Sequence, residues 1–201
     1  MPSVEMPQRK PSLLLYIHGF NSSSRSHKAN VMAEYCAEHR PDIKVLVPQL
    51  PSFPAMAAAH LKDVVEQHKD QYQIALVGSS LGGYLSTWLN AHYGFKAAVV
   101  NPSVKPYELL SEYLGEQVNP YTNEHYVLEQ KHIEELKALD VASISQPSDF
   151  WLLQQTEDEV LDYRQAVTKF QGAKQTVEEG GDHSFVDFER YPQKIIEFLT
   201  L

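Results

Sequence analysis

The segment Gly78-Ser79-Ser80-Leu81-Gly82 matches G-x-S-x-G, a pattern that lifts a serine hydroxyl on a sharp turn between a strand and a helix. The flanking residues must be small because the turn is strained and packed closely against its neighbours. The apolar run QIALVG precedes it and LGGYLSTWLN follows, which is the setting such a nucleophile requires. A glycine-rich turn without chemistry is the plain alternative. A phosphate cradle is disfavoured, since no lysine follows the glycines and no G-x-G-x-x-G occurs. A serine hydroxyl is a weak nucleophile at neutral pH and needs a base held by a third group. His183, in Gly180-Gly181-Asp182-His183-Ser184-Phe185, is the candidate base because it follows the last strand on a Gly-Gly loop. His39, His60, His68 and His92 fall on helices, and His132 lies on an apolar helical face, positions more typical of packing.

The acid that orients the base should follow a strand between serine and histidine. Thr156-Glu157-Asp158-Glu159-Val160 follows DFWLLQQ, and Asp162 adds a fourth carboxylate. Asp162 stands three residues before Gln165 and reads as the N-cap of the next helix, in a variant of the capping box. Asp158 leads, Glu157 is second, and Asp182 adjoins the base too closely in sequence. The order Ser80, Asp158, His183 is that of the α/β-hydrolases. An anion developing on a substrate carbonyl needs donors as well. Gly19, in His18-Gly19-Phe20-Asn21, lets backbone approach the substrate, so the Phe20 and Leu81 N–H groups become the candidate oxyanion hole. His18 is expected to serve as a structural hydrogen-bonding group. The loop SSSRSHK holds Arg25 and Lys28; it reads as a solvated helix start or, alternatively, as a phosphate contact.

These residues must be held by a parallel sheet. Short apolar runs at 12–18, 44–48, 73–78, 97–101, 149–155 and 173–178 read as strands, and helical spacing fills 26–39, 55–68, 81–93 and 163–170. A last helix is predicted from Pro192, with Ile195, Ile196 and Leu199 on one face. Alternation of this kind implies six parallel strands with right-handed crossovers and helices on both faces. The stretch 102–147 breaks the rhythm. A helical pattern over 124–140 places Leu128, His132, Leu136 and Leu139 on one face, and the stretch reads as a small helical cap over the strand ends. Between Lys105 and Asp140 it carries eight acidic residues against three lysines.

Composition narrows the partners. The 201 residues include 43% hydrophobic and 21% charged residues, an ordinary globular balance, and a single domain over 1–201 is expected. A net charge of −9 disfavours nucleic acid and anionic membranes. Cys36 is alone, so no internal disulfide or thiolate cluster can form, and it reads as a small buried hydrophobe. No H-E-x-x-H or similar spacing points to a metal, and no cofactor is implied. Residues 1–10 are polar, and no run is long and apolar enough to span a bilayer, which leads to the expectation of a soluble, cytoplasmic protein.

The segments LLLYIHGFNSSSRSHKAN, VPQLPSFP, VGSSLGGYLSTWL, VVNPSVKPYELLSEYLG, NPYT, WLLQQTEDEVLDYRQAV and EEGGDHSF together resemble the YqiA-type bacterial esterases, small α/β-hydrolases, from about Ser12 to Leu201. The resemblance implies an esterase that also cleaves acyl-CoA thioesters, with Ser80 as nucleophile, Asp158 as acid and His183 as base. Two positions depart from the family pattern: Glu157 stands where the family has Gly, and Asp182 where it has Asn. Both add carboxylate charge beside the acid and the base. The expected reaction is hydrolysis of a small acyl ester, with thioester hydrolysis as the alternative. A catalytically silent binding module is the third reading, disfavoured by the complete constellation. The sequence does not specify an oligomeric state.

Overall fold

The computed structural model describes residues 8–201. Most of the polar segment 1–10 therefore lies outside the described residues. Six parallel strands form the central sheet: β1 (Ser12–Ile17), β2 (Lys44–Leu46), β3 (Gln73–Ser79), β4 (Ala97–Val100), and, beyond the long excursion, two further strands at Phe150–Gln155 and Lys174–Glu178. The excursion adds a separate antiparallel hairpin of β5 (Gly115–Val118) and β6 (His125–Leu128), so the last two strands of the sheet are β7 and β8. The order across the sheet is β2-β1-β3-β4-β7-β8. Edge strand β2 stops at Leu46, two residues short of Pro48, whose missing N–H cannot extend a ladder.

The helices are α1 (His27–His39), α2 (Pro54–His68), α3 (Leu81–Tyr93), α4 (Pro106–Leu110), α5 (Gln130–Ala138), α6 (Tyr163–Lys169) and α7 (Pro192–Leu199). Alternation along the strands divides the core. Leu13, Leu15 and Ile17 of β1 pack with Leu61 of α2, Leu85 and Leu89 of α3 and Ala166 of α6. Leu14 and Tyr16 face the other way, towards Met32 and Cys36 of α1 and Ile195, Ile196 and Leu199 of α7. Both faces are thus covered, as continuous apolar strands require. Pro192 opens α7 at its first position, where a missing N–H costs nothing.

Chain direction across the sheet reverses between β1 and β3. From β1 the chain crosses to β2 at one edge; from β3 onward it moves the other way. Loops leaving the carboxyl ends of β1 and β3 diverge, and a crevice opens between them, the usual ligand position in such sheets.

The stretch 102–147 differs from its expected form. A single helical pattern over 124–140 does not occur: Tyr126 and Leu128 alternate inward on β6, and helix begins only after Glu129, which is extended. Asn119 closes the hairpin by accepting from the Tyr121 and Thr122 N–H groups, and Asn123 takes a positive φ. Glu129 and His132 then cap α5 reciprocally. Leu128, His132, Leu136 and Leu139 are buried nonetheless, because the strand and the helix turn them towards the same core. No helix among the described residues is long and apolar enough to cross a membrane.

Candidate active site

Ser80 ends β3 and opens α3 with φ 57° and ψ −121°, a conformation rarely adopted by a side-chain-bearing residue. Packing holds it there. The Ser80 N–H donates to the Val100 carbonyl at 3.1 Å, and the Ser80 carbonyl accepts from Ser103 and Gly83 at 2.9 Å each. A Cβ on Gly78 would lie 2.2 Å from the Gly82 carbonyl oxygen, and one on Gly82 only 1.9 Å from that of Ile17. The first turn of α3 therefore sits directly on the ends of β1 and β3, which only glycine at both positions allows.

His183 reaches this turn from the loop after β8. Its Nε2 lies 3.1 Å from Ser80 Oγ, and its Nδ1 lies 2.8 Å and 3.0 Å from the two oxygens of Asp158. The Asp158 side chain is fully buried, and Oδ1 also accepts the Val160 and Leu161 N–H groups at 2.9 Å. A carboxylate so held requires a proton on Nδ1, which leaves Nε2 as an acceptor for the serine hydroxyl. Of the neighbouring acids, Glu157 is exposed, and Asp162 caps α6 by accepting from the Arg164 N–H. The Gln165 N–H donates to the Asp162 carbonyl, but among the described residues its side chain accepts nothing from the Asp162 N–H, so the box is half formed. Asp182 makes no hydrogen bond to the imidazole, and its buried Oδ1 has no partner among the described residues.

Across the crevice, Gly19 approaches Ser80 so closely that an added Cβ would meet Ser80 Cβ at 3.3 Å. Among the described residues, no hydrogen bond takes up the N–H of Phe20 or of Leu81. His18 Nε2 accepts from the Leu50 N–H at 2.9 Å, so Nδ1 must carry the proton donated to the Gly19 carbonyl, also at 2.9 Å. Burial holds the pKa of this imidazole below the ordinary histidine value, opposed by the Gly19 bond. His18 thus ties the turn bearing Phe20 to the strap that enters α2.

The model of the family described as Uncharacterised protein family (UPF0227), the YqiA family, matches residues 13–200. The chain belongs to this family. Solved structures agree in fold at low identity. Est1E from Butyrivibrio proteoclasticus, with ferulic acid bound, has a TM-score of 0.72 at 15% identity, over 95% of this chain and 89% of its own. Alpha/beta hydrolase domain-containing protein 10 from mouse has a TM-score of 0.69 at 15% identity, over 99% and 98%. The esterase domain of a Rhodothermus marinus protein has a TM-score of 0.65 at 15% identity, over 97% and 87%. The fold is that of the α/β-hydrolases.

In this YqiA-family chain the two cations of the 22–28 loop part company. Arg25 is exposed, whereas Lys28 Nζ donates to the Ser184 carbonyl at 2.8 Å. Burial lowers the Lys28 pKa, and the charge of Asp182 works against that shift. One bond thus ties Lys28 to the loop that carries His183, with two further N–H donors on its Nζ. Cys36 is buried, its thiol pushed up to about 11 mainly by burial. Beside Phe20 and Leu81 lies an apolar recess of about 30 Å³, walled by Leu50, Ala57, Leu85, Leu110, Leu128 and Leu136. The last three come from the excursion. Three residues of the site were not singled out in the sequence: Asn101, Gln155 and Glu159, all of which bond the backbone around His183. Polar residues at the inner ends of the apolar runs AAVVN and FWLLQQ were the only signal for the first two.

Proposed function

We propose that the chain is a serine esterase, acting as one hydrolase unit over residues 1–201 with 102–147 as its cap. The observation carrying this reading is the unbroken run Asp158–His183–Ser80, beside which, among the described residues, no hydrogen bond takes up the N–H of Phe20 or Leu81. Ser80 Oγ attacks the ester carbonyl and His183 Nε2 takes its proton. The negative charge passes to the carbonyl oxygen, where the Phe20 and Leu81 N–H groups donate to it. Collapse breaks the bond to the leaving oxygen, which receives the proton from Nε2 and departs as an alcohol. Water then attacks the acyl-serine, giving a proton to Nε2, and the acid leaves as that proton returns to Ser80. Asp158 keeps Nδ1 protonated and steadies the imidazolium at each stage.

The leucine-walled recess supports an apolar acyl group, and its volume, comparable to one water molecule's share of the liquid, favours a short one. Acyl-CoA thioesters are the second reading, supported by an exposed Arg25 on the loop that follows the Phe20 turn. Lys28 gives one of its donors to Ser184, and the carboxylates around Asp158 repel a phosphate, which places neutral esters first. The test is hydrolysis of a series of neutral acyl esters by wild type and Ser80→Ala. Turnover by wild type and a loss of roughly 10⁴ or more in the variant is expected; equal rates in the two proteins would refute the reading.

A further inference from the structure

We propose that Asn101 and Gln155 form a buried amide clamp that positions the base, an inference that rests on reading His183 as that base. The loop 180–187 joins no strand ladder and no helix, and four of its residues have positive φ: Gly180, Gly181, Phe185 and Asp187. The two glycines adopt this freely, but at Phe185 and Asp187 such a backbone persists only where its surroundings over-determine it. Here two side-chain amides do so. Asn101 Nδ2 donates to the Asp182 and His183 carbonyls at 2.9 and 3.0 Å. Gln155 Oε1 accepts from the Asp182 and Val186 N–H groups at 3.2 and 2.8 Å, while its Nε2 donates to the Val186 carbonyl at 3.0 Å. The two amides are joined, since the Gln155 N–H donates to Asn101 Oδ1 at 3.0 Å.

Both residues are buried, Asn101 at 0% and Gln155 at 3% exposure, at the carboxyl ends of adjacent strands. Burying an amide costs free energy unless its hydrogen bonds are made, so an apolar residue would serve packing alone better. The bonds go instead to the backbone on both sides of His183. Gly181 leaves room for this, because a Cβ there would fall 1.9 Å from Gln155 Oε1. Asn101 itself takes φ 39°, which asparagine tolerates better than most residues. The clamp thus transmits the geometry of the sheet to Nε2, whose distance from Ser80 Oγ is set by where 182–183 lie.

Asn101→Asp tests this directly. It keeps the size, the tolerance of positive φ and the acceptor for the Gln155 N–H, but turns an oxygen on the two carbonyls. We expect kcat to fall roughly tenfold to a hundredfold with KM changed by less than about twofold, as for a displaced catalytic group. The proton resonance of His183 Nδ1–H should move or exchange faster in the same variant. Asn101→Gly, which removes the donor without adding charge, should reproduce both effects if the aspartate variant fails to fold. Asn90→Asp is the comparator: Asn90 is also buried, but bonds the Phe95 carbonyl and Asp149, so it should lose stability without the split between kcat and KM. A folded Asn101 variant with wild-type kcat and an unmoved resonance would overturn the clamp. A wild type that turns over no ester, yet whose resonance responds to Asn101→Asp, would remove the esterase reading and support the clamp.

Discussion

Asp158 and Asp162 stand four residues apart and do different work. Asp158 is buried against His183 and two backbone N–H groups, whereas Asp162 caps α6 and pairs with Arg164 at the surface. Asp158→Asn leaves an amide that can donate to Nδ1, favouring the tautomer in which Nε2 carries the proton and cannot accept one from Ser80. Ester turnover by Asp158→Asn should fall by about 10³ to 10⁴, while Asp162→Asn should stay near wild type and show only a weakened helix start. Parallel kinetic and thermal-melt measurements on the two variants check this; a dead Asp162 variant beside an active Asp158 variant would reassign the acid. Ser80, Asp158 and His183 could be picked out in the sequence because the first two follow apolar strands and the third stands on a Gly-Gly turn. Lys28 could not be placed that way. Its bond to Ser184 spans 156 residues and depends on how α1 crosses the sheet, which no local pattern records.

At the level of elements, the central strands β1, β3, β4 and β7 were legible because strands buried on both faces read as near-continuous apolar runs. The hairpin within 102–147 was not. His125 to Leu128 is four residues long, and its apolar positions fit a strand as well as the start of a helix. The Asn101–Gln155 clamp was hidden for a related reason: the residues meet through the register of β4 against β7, which pairs Val100 with Leu153. The excursion contributes Leu110, Leu128 and Leu136 to the recess beside Phe20 and Leu81, whose N–H groups we propose as the oxyanion hole. Leu136 is fully buried, so Leu136→Ala should cost about 2–5 kcal/mol of stability. It should also enlarge the recess and move the preferred acyl chain of neutral esters to greater length. Rates against a graded series of esters, measured where the variant remains folded, decide this. An unchanged chain-length profile would place the acyl group elsewhere.

For the molecule as a whole, the parallel sheet sorts charge between its two ends. Lys10, Lys44, Lys96 and Lys174 precede or begin β1, β2, β4 and β8, at the end remote from the site. Glu157, Asp158, Glu159, Glu179 and Asp182 follow β7 and β8 at the end that carries it, and the excursion after β4 adds further carboxylates. A substrate at the carboxyl ends of β7 and β8 therefore meets these carboxylates. Screening over roughly 8 Å at physiological salt confines the repulsion to groups that come close, but a CoA phosphate beside the crevice would be among them. Short neutral esters should have a higher kcat/KM than CoA thioesters of the same acyl group at matched leaving-group reactivity. Arg25→Ala should lower thioester turnover and spare neutral esters. Superior acyl-CoA turnover, with Arg25→Ala affecting both classes alike, would contradict the charge argument.

The central claim is that Ser80 is a nucleophile activated by His183. Labelling with a fluorophosphonate, followed by mass analysis of the intact protein and its peptides, tests it without knowledge of the substrate. The account predicts one covalent adduct, located on Ser80, formed by wild type, absent from Ser80→Ala and formed far more slowly by His183→Ala. An adduct on another residue, or labelling that persists in folded Ser80→Ala, would contradict it.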